Sequence, residues 1–337
     1  MQEARFYTQL GEGKVRCHLC SHRCVIGDGK RGICGVRENR GGKLYTLVYG
    51  RAVAYHVDPI EKKPLFHFLP GTKSYSIATA GCNFRCLHCQ NWEISQMPRE
   101  GRGISGIDLP PEEVVRQASE YSCASISYTY TEPTIFAEYA VDCARLAQER
   151  GIKNIFVTNG YITGEALREV APYIDAANID LKGFTEEFYR EVCGARLEPV
   201  LESIRLYKKL GVWVEVTTLI IPGHNDDEEQ LRGIARFIKS VGEEIPWHVS
   251  RFHPDYRLID VPPTPVETLR RAREIGMDEG LLYVYMGNVP GEGEDTLCPG
   301  CGSAVIQRHG FNIISYRIRD GACPDCGTGL HGVWREP

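Results

Sequence analysis

Three cysteines are spaced so that their thiols could bind one metal centre. Cys82, Cys86 and Cys89 are spaced C-x3-C-x2-C directly after an apolar, strand-like run at 74–80. Three thiolates on one loop can bind three irons of a [4Fe–4S] cube and leave the fourth iron without a protein ligand, whereas ferredoxins use four cysteines per cube. Such an open coordination position serves catalysis rather than structure. The alternative is a zinc loop with a fourth ligand from elsewhere, although zinc sites usually contain paired C-x2-C knuckles.

Four cysteines near the N-terminus form a second group. Cys17, Cys20, Cys24 and Cys34 lie among several glycines, as expected for a compact loop folded around a metal. Four thiolates suit either structural zinc or a second iron–sulfur cluster, and the number of thiols does not separate the two. We predict a metal site here, with zinc as the first choice and a cluster as the alternative.

Four cysteines near the C-terminus form a third group. Cys298, Cys301, Cys323 and Cys326 make two C-x2-C knuckles separated by 21 residues, with a strand-like run at 313–318 between them. This spacing is close to that of a zinc ribbon, and a site with all four ligands is structural. An appendage of this size needs such a metal in order to fold. The three remaining cysteines are predicted to be small buried hydrophobic residues: Cys123, Cys143 and Cys193.

Strand-like and helical patterns alternate between residues 74 and about 287. Strands are predicted at 74–80, 124–130, 153–158, 176–181, 212–221, 247–252 and 281–286. Helices are predicted after 136, near 165–170, at about 197–210 and from Asp226 onward. The alternation predicts parallel βαβ units, arranged as a doubly wound sheet or as a β/α barrel, and periodicity does not choose between them. We expect three regions: a Cys-rich metal-binding segment at 1–50, the core at 51–290 and a zinc-ribbon-like module at 291–337.

Polar residues follow the predicted strands at the ends where parallel sheets carry their chemistry. Glu132 follows the second strand, Asn159 the third and His253 the sixth. Asp180 and Lys182 end the fourth strand, and alternation places both on one face of the sheet. The less specific interpretations are a carboxylate at a helix start, a turn, a loop histidine and a structural ion pair.

The cysteine motif and these strand ends resemble the radical S-adenosylmethionine (radical SAM) superfamily. The resemblance implies an α/β fold, a partial (β/α)6 barrel of the TIM type, with a [4Fe–4S] cluster whose open iron is chelated by S-adenosyl-L-methionine (SAM). It also implies reductive cleavage of SAM to a 5′-deoxyadenosyl radical, which abstracts hydrogen from an unidentified substrate. The residues that the resemblance places against SAM are His88 near adenine, Glu132 near the ammonium group, His253 near the ribose, and Asn159, Asp180 and Lys182.

Within this superfamily the chain most resembles the AmmeMemoRadiSam-system radical SAM enzymes, which are related to pyruvate formate-lyase activating enzymes. The resemblance rests on the lead-in at 58–65, on the segment 86–92, and on Tyr-Thr-Glu-Pro-Thr at 130–134, where many radical SAM enzymes have Gly-Gly-Glu-Pro. It implies a substrate linked to AmmeMemoRadiSam-system partner proteins. An alternative is activation of a glycyl-radical enzyme, with hydrogen abstraction from a protein backbone glycine. A minor alternative is a non-catalytic metal-bound scaffold that binds partners.

The composition excludes several other classes of protein. The 337 residues carry a formal net charge of -5 and contain 42% hydrophobic and 25% charged residues, so we expect a globular protein without a nucleic-acid partner. There is no signal pattern and no apolar stretch of about eighteen residues, which predicts a cytoplasmic protein that does not contact the membrane. Clustered cysteines in a reducing compartment indicate metal ligands. The resemblance implies an electron donor of the flavodoxin or ferredoxin type.

Overall fold

The computed structural model describes residues 1–334, so the last three residues of the predicted 291–337 module lie outside the described part. The first 52 residues contain seven short strands: β1 (Gln2–Glu3), β2 (Tyr7–Gln9), β3 (Val15–Cys17), β4 (Val25–Ile26), β5 (Arg37–Arg40), β6 (Lys43–Thr46) and β7 (Arg51–Ala52). Six of them form two antiparallel sheets, in the orders β1-β6-β5 and β2-β3-β4. The sequence patterns did not predict these strands because each is at most four residues long.

The core contains nine further strands, eight of which form one sheet. In chain order they are β8 (Ala54–Pro59), β9 (Lys73–Ala78), β10 (Ile107–Asp108), β11 (Ser125–Tyr128), β12 (Lys153–Thr158), β13 (Ala176–Asp180), β14 (Trp213–Ile220), β15 (Trp247–Arg251) and β16 (Val284–Gly287). β10 pairs with β7, and the others follow the order β16-β15-β14-β13-β12-β11-β9-β8. All neighbours from β9 to β16 are parallel, whereas β8 is antiparallel to β9.

Eight α-helices connect these strands. They are α1 (Trp92–Ser95), α2 (Pro111–Glu120), α3 (Ala137–Gln148), α4 (Gly164–Val170), α5 (Glu186–Phe188), α6 (Glu198–Lys209), α7 (Glu228–Val241) and α8 (Val266–Asp278). Short 3-10 turns occur at Ile60–Lys62, Pro133–Phe136 and Ala171–Tyr173, and a π-helical turn at Tyr189–Cys193. The predicted start of α7 is confirmed, since the Asp227 side chain accepts a hydrogen bond from the backbone N–H of Gln230 at 2.9 Å.

The strand order decides between the two predicted architectures. Six strand–helix units, from β9 to α8, are followed by β16, and the parallel strands lie in the sheet in the order in which they occur along the chain. A doubly wound sheet would instead reverse its order at a switch point. The structure therefore has barrel-type winding, and the predicted mixed α/β core with a parallel sheet is confirmed. The sequence patterns missed β8 and the helices α2 and α8.

A buried ion pair attaches the N-terminal segment to the core. Arg37 on β5 donates two hydrogen bonds to the carboxylate of Glu138 on α3, at 2.9 and 3.0 Å, and both side chains are at most 2% exposed. The same carboxylate accepts the backbone N–H of Arg5 at 2.8 Å. A bidentate guanidinium–carboxylate pair of this kind fixes both distance and orientation. An exposed pair between Arg23 and Glu165 joins the same two regions at 2.7 Å.

The C-terminal module forms an antiparallel sheet of β17 (Thr296–Leu297), β18 (Ala304–His309) and β19 (Asn312–Tyr316). Its Arg308 is fully buried and donates hydrogen bonds to the Phe66 carbonyl at 2.9 Å and to the Thr296 hydroxyl at 2.8 Å. Tyr285, on the edge strand β16, donates to the same Thr296 hydroxyl at 2.9 Å. The module therefore contacts both β16 and the segment that follows β8, which are at the two edges of the central sheet.

Candidate active site

A cavity of about 540 Å³ lies at the C-terminal ends of the parallel strands, within the size range of small-molecule sites. It brings together eight of the residues singled out in the sequence: Cys82, Cys86, His88, Cys89, Glu132, Asn159, Asp180 and Lys182. They come from the last residue of β13 and from the loops that follow β9, β11, β12 and β13. The parallel winding explains this convergence, because it places the C-terminal ends of all these strands at the same rim.

The loop with the three cysteines is fixed by backbone hydrogen bonds. Arg85 and Leu87 donate their N–H groups to the carbonyls of Cys193 and Val192, at 2.8 and 2.9 Å. The π-helical turn that ends at Cys193 thus pairs with the cysteine loop. The Cys193 thiol lies behind that of Cys86, which is buried, and it does not line the cavity. The sequence pattern predicts only a small buried residue at Cys193 and gives no indication of this contact.

The surroundings of the three thiols favour a bound metal. Burial raises the pKa of Cys82 and of Cys89, and hydrogen bonding to Cys193 together with burial raises that of Cys86. Thiolates here therefore need a cation to compensate their charge. Three sulfur donors on one wall of the cavity are a suitable donor set for a cluster with one iron open to the cavity.

Glu132 holds the strand ends together. Its buried carboxylate accepts four hydrogen bonds: from the N–H and hydroxyl groups of Thr134, from the Thr158 hydroxyl at 2.7 Å and from the Asn159 N–H at 2.8 Å. Four donors match the roughly four lone-pair positions of a carboxylate. Burial raises the pKa of Glu132, although these hydrogen bonds oppose the effect. Its contacts order the loops after β11 and β12.

Asn159 connects this network to the cysteine loop. Its side-chain amide donates to the Asn83 side-chain oxygen at 2.7 Å and lies 3.9 Å from the Cys82 sulfur. Both amide side chains are buried. An amide N–H directed at a metal-bound thiolate stabilises its negative charge and tunes the metal. Asn83 was not singled out in the sequence, because a single Asn within the motif carries no pattern of its own.

Asp180 and Lys182 form an ion pair on the cavity wall. The Lys182 ammonium donates to the Asp180 carboxylate at 2.8 Å, and 15% of the Lys182 side chain is exposed. Burial alone would lower the pKa of Lys182, but Asp180 and the Cys86 sulfur raise it well above its ordinary value, so the amine stays charged. The strand alternation that placed both side chains on one face is confirmed by this contact.

The two predicted histidines have different surroundings. His88 is 4% exposed and lines the cavity, and its Nδ1 has no hydrogen-bond partner within residues 1–334. Burial lowers the pKa of His88 to about 3, so the ring is neutral. His253 is exposed and does not line the cavity. The reason is local: the Phe252 N–H donates to the Thr264 hydroxyl at 3.0 Å while its ring enters the core, which turns the next residue outward.

A cationic cluster that sequence reasoning missed lines another part of the cavity. The Lys63 ammonium is 1% exposed, donates to the Asp58 carboxylate at 2.6 Å and lies 4.8 Å from the centre of the Tyr130 ring. The Tyr130 hydroxyl and Lys62 also donate to Asp58. Burial lowers the pKa of Lys63 to about 8. The only signal in the sequence is the lead-in at 58–65, which resembles the family. It gives no indication that Lys63 lies at the cavity.

The C-terminal cysteines are arranged as ligands of one metal ion. The sulfurs of Cys298, Cys301, Cys323 and Cys326 all lie within 4.8 Å of one another. Two of the separations are 3.6 and 3.8 Å. Four sulfurs placed tetrahedrally about 2.3 Å from a zinc ion would be about 3.8 Å apart. The geometry fits the predicted zinc ion.

The N-terminal cysteines lie in the loops around β3 and β4, beside the catalytic-type cysteine loop. Cys17, Cys20 and Cys34 are buried and Cys24 is half-buried. Within the described residues, no helix has the length and apolar character needed to cross a bilayer.

Comparisons with known proteins agree with this geometry. A family model described as "Radical SAM superfamily" matches residues 76–238. A protein of Methanocaldococcus jannaschii named "Uncharacterized protein MJ0808" is 53% identical over 331 residues, which cover 97% of this chain and 98% of that protein. The pyruvate formate-lyase 1-activating enzyme of Escherichia coli K12 is 26% identical over 212 residues, 58% of this chain and 85% of that enzyme.

A solved structure supports the fold. The crystal structure of a radical SAM methyltransferase from Sphaerobacter thermophilus has a TM-score of 0.51 and 16% identity, over 65% of this chain and 67% of that chain. At this identity the likeness concerns the arrangement of the chain and not its substrate.

Proposed function

The chain belongs to the radical SAM superfamily, and from this premise we propose that it cleaves SAM reductively at a [4Fe–4S] cluster bound by Cys82, Cys86 and Cys89. When bound, the cluster supplies one electron to SAM, which yields methionine and a 5′-deoxyadenosyl radical that abstracts hydrogen from the substrate. The observation that carries this proposal is the set of three thiols on the wall of a cavity whose other groups suit an amino acid and a nucleoside.

The charged pair suits the methionyl part of SAM. Asp180 and Lys182 present a carboxylate and an ammonium group side by side, which complements the ammonium and carboxylate groups of an amino acid. Exchanging one internal ion pair for two contacts with the ligand leaves no charge unpaired. We assign both residues to cofactor binding.

The neutral rings and amides suit the remaining parts of the cofactor. His88 offers a flat, uncharged ring whose Nδ1 has no partner in the part of the chain that the structure describes, and this ring can stack on adenine and accept or donate one hydrogen bond. Asn159 lies beside Cys82 and is oriented by Glu132. We therefore assign Glu132 a positioning role through Asn159, and His253 stays a prediction that depends on movement of its exposed loop.

Lys63 and Tyr130 mark the substrate side of the cavity. They lie on the lead-in and on the loop after β11, line the cavity and are both paired with Asp58, so a second molecule in the cavity would meet them as one group. A cation with a pKa of about 8 binds an anionic or carbonyl group and can also deliver a proton. We retain the AmmeMemoRadiSam-system assignment, which rests on the sequence resemblance, as part of the proposal.

Activation of a glycyl-radical enzyme is the second candidate. It is favoured by the similarity to the pyruvate formate-lyase 1-activating enzyme, which extends over 85% of that enzyme. After reaction with candidate glycyl-radical proteins, this function predicts an electron-spin-resonance doublet on the partner protein. The absence of a doublet across several candidates would direct the search to small molecules. In either case we propose a flavodoxin- or ferredoxin-type electron donor.

The central test is anaerobic reconstitution with iron and sulfide, followed by assay of 5′-deoxyadenosine formed from SAM with a chemical reductant. Cys82→Ala is expected to abolish product formation, more than about 100-fold, because one cluster ligand is lost. Cys123→Ala, which truncates a buried cysteine far from the cavity, is the matched control and retains activity. Product formation by the Cys82 variant at the wild-type rate contradicts the proposal. Titration of SAM separates the enzyme from a non-catalytic scaffold, which binds none.

A further inference from the structure

The four N-terminal cysteines occupy one compact set of loops. Cys17 ends β3, Cys20 and Cys24 lie in the connection to β4, and Cys34 precedes β5. The backbone closes the loop, since the Cys17 N–H donates to the Cys24 carbonyl at 2.9 Å. All four are free thiols, and three of them are buried. Four buried or half-buried free thiols on one loop system are a complete ligand set for a metal centre.

Their spacing differs from that of a single-ion site. Among the described residues, only the C-terminal quartet brings three or more thiols within 4.8 Å of one another. No three of the N-terminal thiols are this close, and neither are Cys82, Cys86 and Cys89. One zinc ion needs sulfurs about 3.8 Å apart, whereas a cluster of several irons holds its thiolates farther apart. The N-terminal quartet therefore shares its wider spacing with the catalytic cysteines.

The N-terminal loop also packs directly against the catalytic loop. Gly81 precedes Cys82 with a φ of +100°, and a Cβ atom there would lie 3.0 Å from the Cys34 carbonyl oxygen. The Arg99 guanidinium bridges the two loops, since it donates to the carbonyls of Ile33 at 2.8 Å and Cys82 at 2.7 Å. The two cysteine loops are thus joined through one shared cation, and they approach so closely at Gly81 that no side chain fits between them.

A second bridge lies on the other side of the N-terminal loop. His22, between Cys20 and Cys24, is within hydrogen-bond distance of the Asn83 carbonyl, at 2.9 Å. Its ring packs on Tyr161 with centroids 4.8 Å apart, and Tyr161 packs on Phe84 at 5.2 Å. A purely structural metal site has no need for repeated contact with the catalytic loop.

We propose that Cys17, Cys20, Cys24 and Cys34 bind an iron–sulfur cluster that passes electrons to the catalytic site. This rests on the proposed function, because the relay needs a redox reaction to supply. A flavodoxin- or ferredoxin-type donor loses one electron, and the N-terminal cluster gains it. The cluster is reoxidised when it passes this electron on, so that in sum the donor loses one electron and SAM gains one as its carbon–sulfur bond breaks.

The first experiment counts metals in the full chain, reconstituted anaerobically. The wild type is expected to contain iron in excess of the roughly four atoms of the catalytic cube, together with about one zinc. Cys20→Ser/Cys34→Ser is expected to lose this excess, with loss of the corresponding Mössbauer and electron-spin-resonance signals. Cys24→Ala is a second variant with little cost in packing, since Cys24 is only half-buried. About two zinc ions and no excess iron overturn the proposal.

The second experiment compares two reductants. With reduced flavodoxin as donor, both N-terminal variants are expected to form 5′-deoxyadenosine at least about 10-fold more slowly than the wild type. With titanium(III) citrate, which reaches the catalytic site directly, they are expected to keep the wild-type rate. Cys123→Ala is the control for both reductants. Equal losses with the two reductants indicate a structural role and overturn the relay, as does the absence of any loss.

The two proposals fail separately. If the wild type forms no 5′-deoxyadenosine even with titanium(III) citrate, the proposed function is wrong, while the iron count still reports on the N-terminal site. If the wild type is active with both reductants and lacks excess iron, only the second cluster is wrong.

Discussion

The two ends of the chain each carry four cysteines, and the structure uses them differently. At the C-terminus the four sulfurs lie within 4.8 Å of one another, and two of the cysteines are exposed, on a module held to the core by other residues. At the N-terminus the sulfurs are spaced more widely, and the loop that carries them touches the catalytic loop. Equal numbers of thiols therefore do not imply equal roles. The spacing and the neighbours of the thiols are therefore the basis on which we propose different roles for the two quartets.

The largest effect is expected from removing the C-terminal metal. Cys323→Ala should release zinc and unfold the module, because the metal-binding free energy of such a site, on the order of 10 kcal/mol, is also its folding free energy. Limited proteolysis should then cleave within residues 296–334, and metal analysis should show the loss of one zinc. Cys20→Ala is the matched change at the other end and should leave this zinc in place. Unchanged protease resistance of the Cys323 variant contradicts the assignment.

Next in size is the buried pair that fastens the N-terminal segment. Glu138→Gln leaves the Arg37 guanidinium buried without a counter-charge, so the free energy of unfolding should fall by about 4 kcal/mol, measured by urea denaturation. Glu165→Gln removes the exposed pair with Arg23 between the same regions and should cost less than about 1 kcal/mol. Similar losses of unfolding free energy in the two variants would show that the buried pair does not hold the N-terminal segment to the core more strongly than the exposed pair.

A substitution at Lys63 tests whether a charged group is buried in the lead-in segment, which the C-terminal module covers. Its pKa in the folded protein is about 8, against an ordinary value of 10.5, because burial disfavours the charge. Between these pH values the unfolded chain keeps a proton that the folded protein has lost, so stability rises with pH across this window. Over this pH window, the free energy of unfolding of the wild type should rise by about 3 kcal/mol relative to that of Lys63→Met.

The control for this pH profile is Lys62→Met. Lys62 also donates to Asp58 at 2.9 Å, but 45% of its side chain is exposed. Lys62, Asp58 and Tyr130 are the other ionisable groups that face Lys63; Asp58 and Tyr130 are present in each variant, and Lys62 has a smaller influence than Asp58 on the pKa of Lys63. The stability of the Lys62 variant should therefore keep the wild-type dependence on pH. A Lys63→Met profile parallel to that of the wild type would refute the assignment.

The smallest effect concerns how the C-terminal module is held. Arg308→Lys loses the forked contacts with Phe66 and Thr296 while keeping a charge, and should destabilise the protein by about 2 kcal/mol in chemical denaturation. Arg317→Lys, which alters an exposed pair with Asp325 in the same module, should have almost no effect. If the first change is as mild as the second, the module is held by its other contacts.

Local sequence patterns predicted the features that depend on residues close together along the chain. The strand at 153–158 was predicted with its observed bounds, and alternation alone placed Asp180 and Lys182 together. The parallel winding then brought four strand ends to one cavity, as strand–helix alternation implied. The coarse fold and most of the cavity wall could therefore be inferred from sequence.

What depends on contacts distant in sequence could not be predicted. Lys63 reaches the cavity because β8 joins the sheet antiparallel to β9, and no pattern in 54–59 announced that strand. Cys193 meets the cysteine loop through a π-helical turn that apolar spacing does not encode. The family resemblance predicts that His253 lies near the ribose of SAM. The hydrogen bond from the Phe252 N–H to the Thr264 hydroxyl instead turns His253 outward.

Gly81 has a consequence for how this sequence can change over time. Any side chain at this position would meet Val36 at 2.7 Å and the Cys34 carbonyl at 3.0 Å, in a backbone conformation that L-residues rarely adopt. The restriction is imposed by the N-terminal loop as well as by the local turn. Relatives that keep the N-terminal cysteine loop should therefore keep the glycine before their first motif cysteine, because two separate restrictions act on this position.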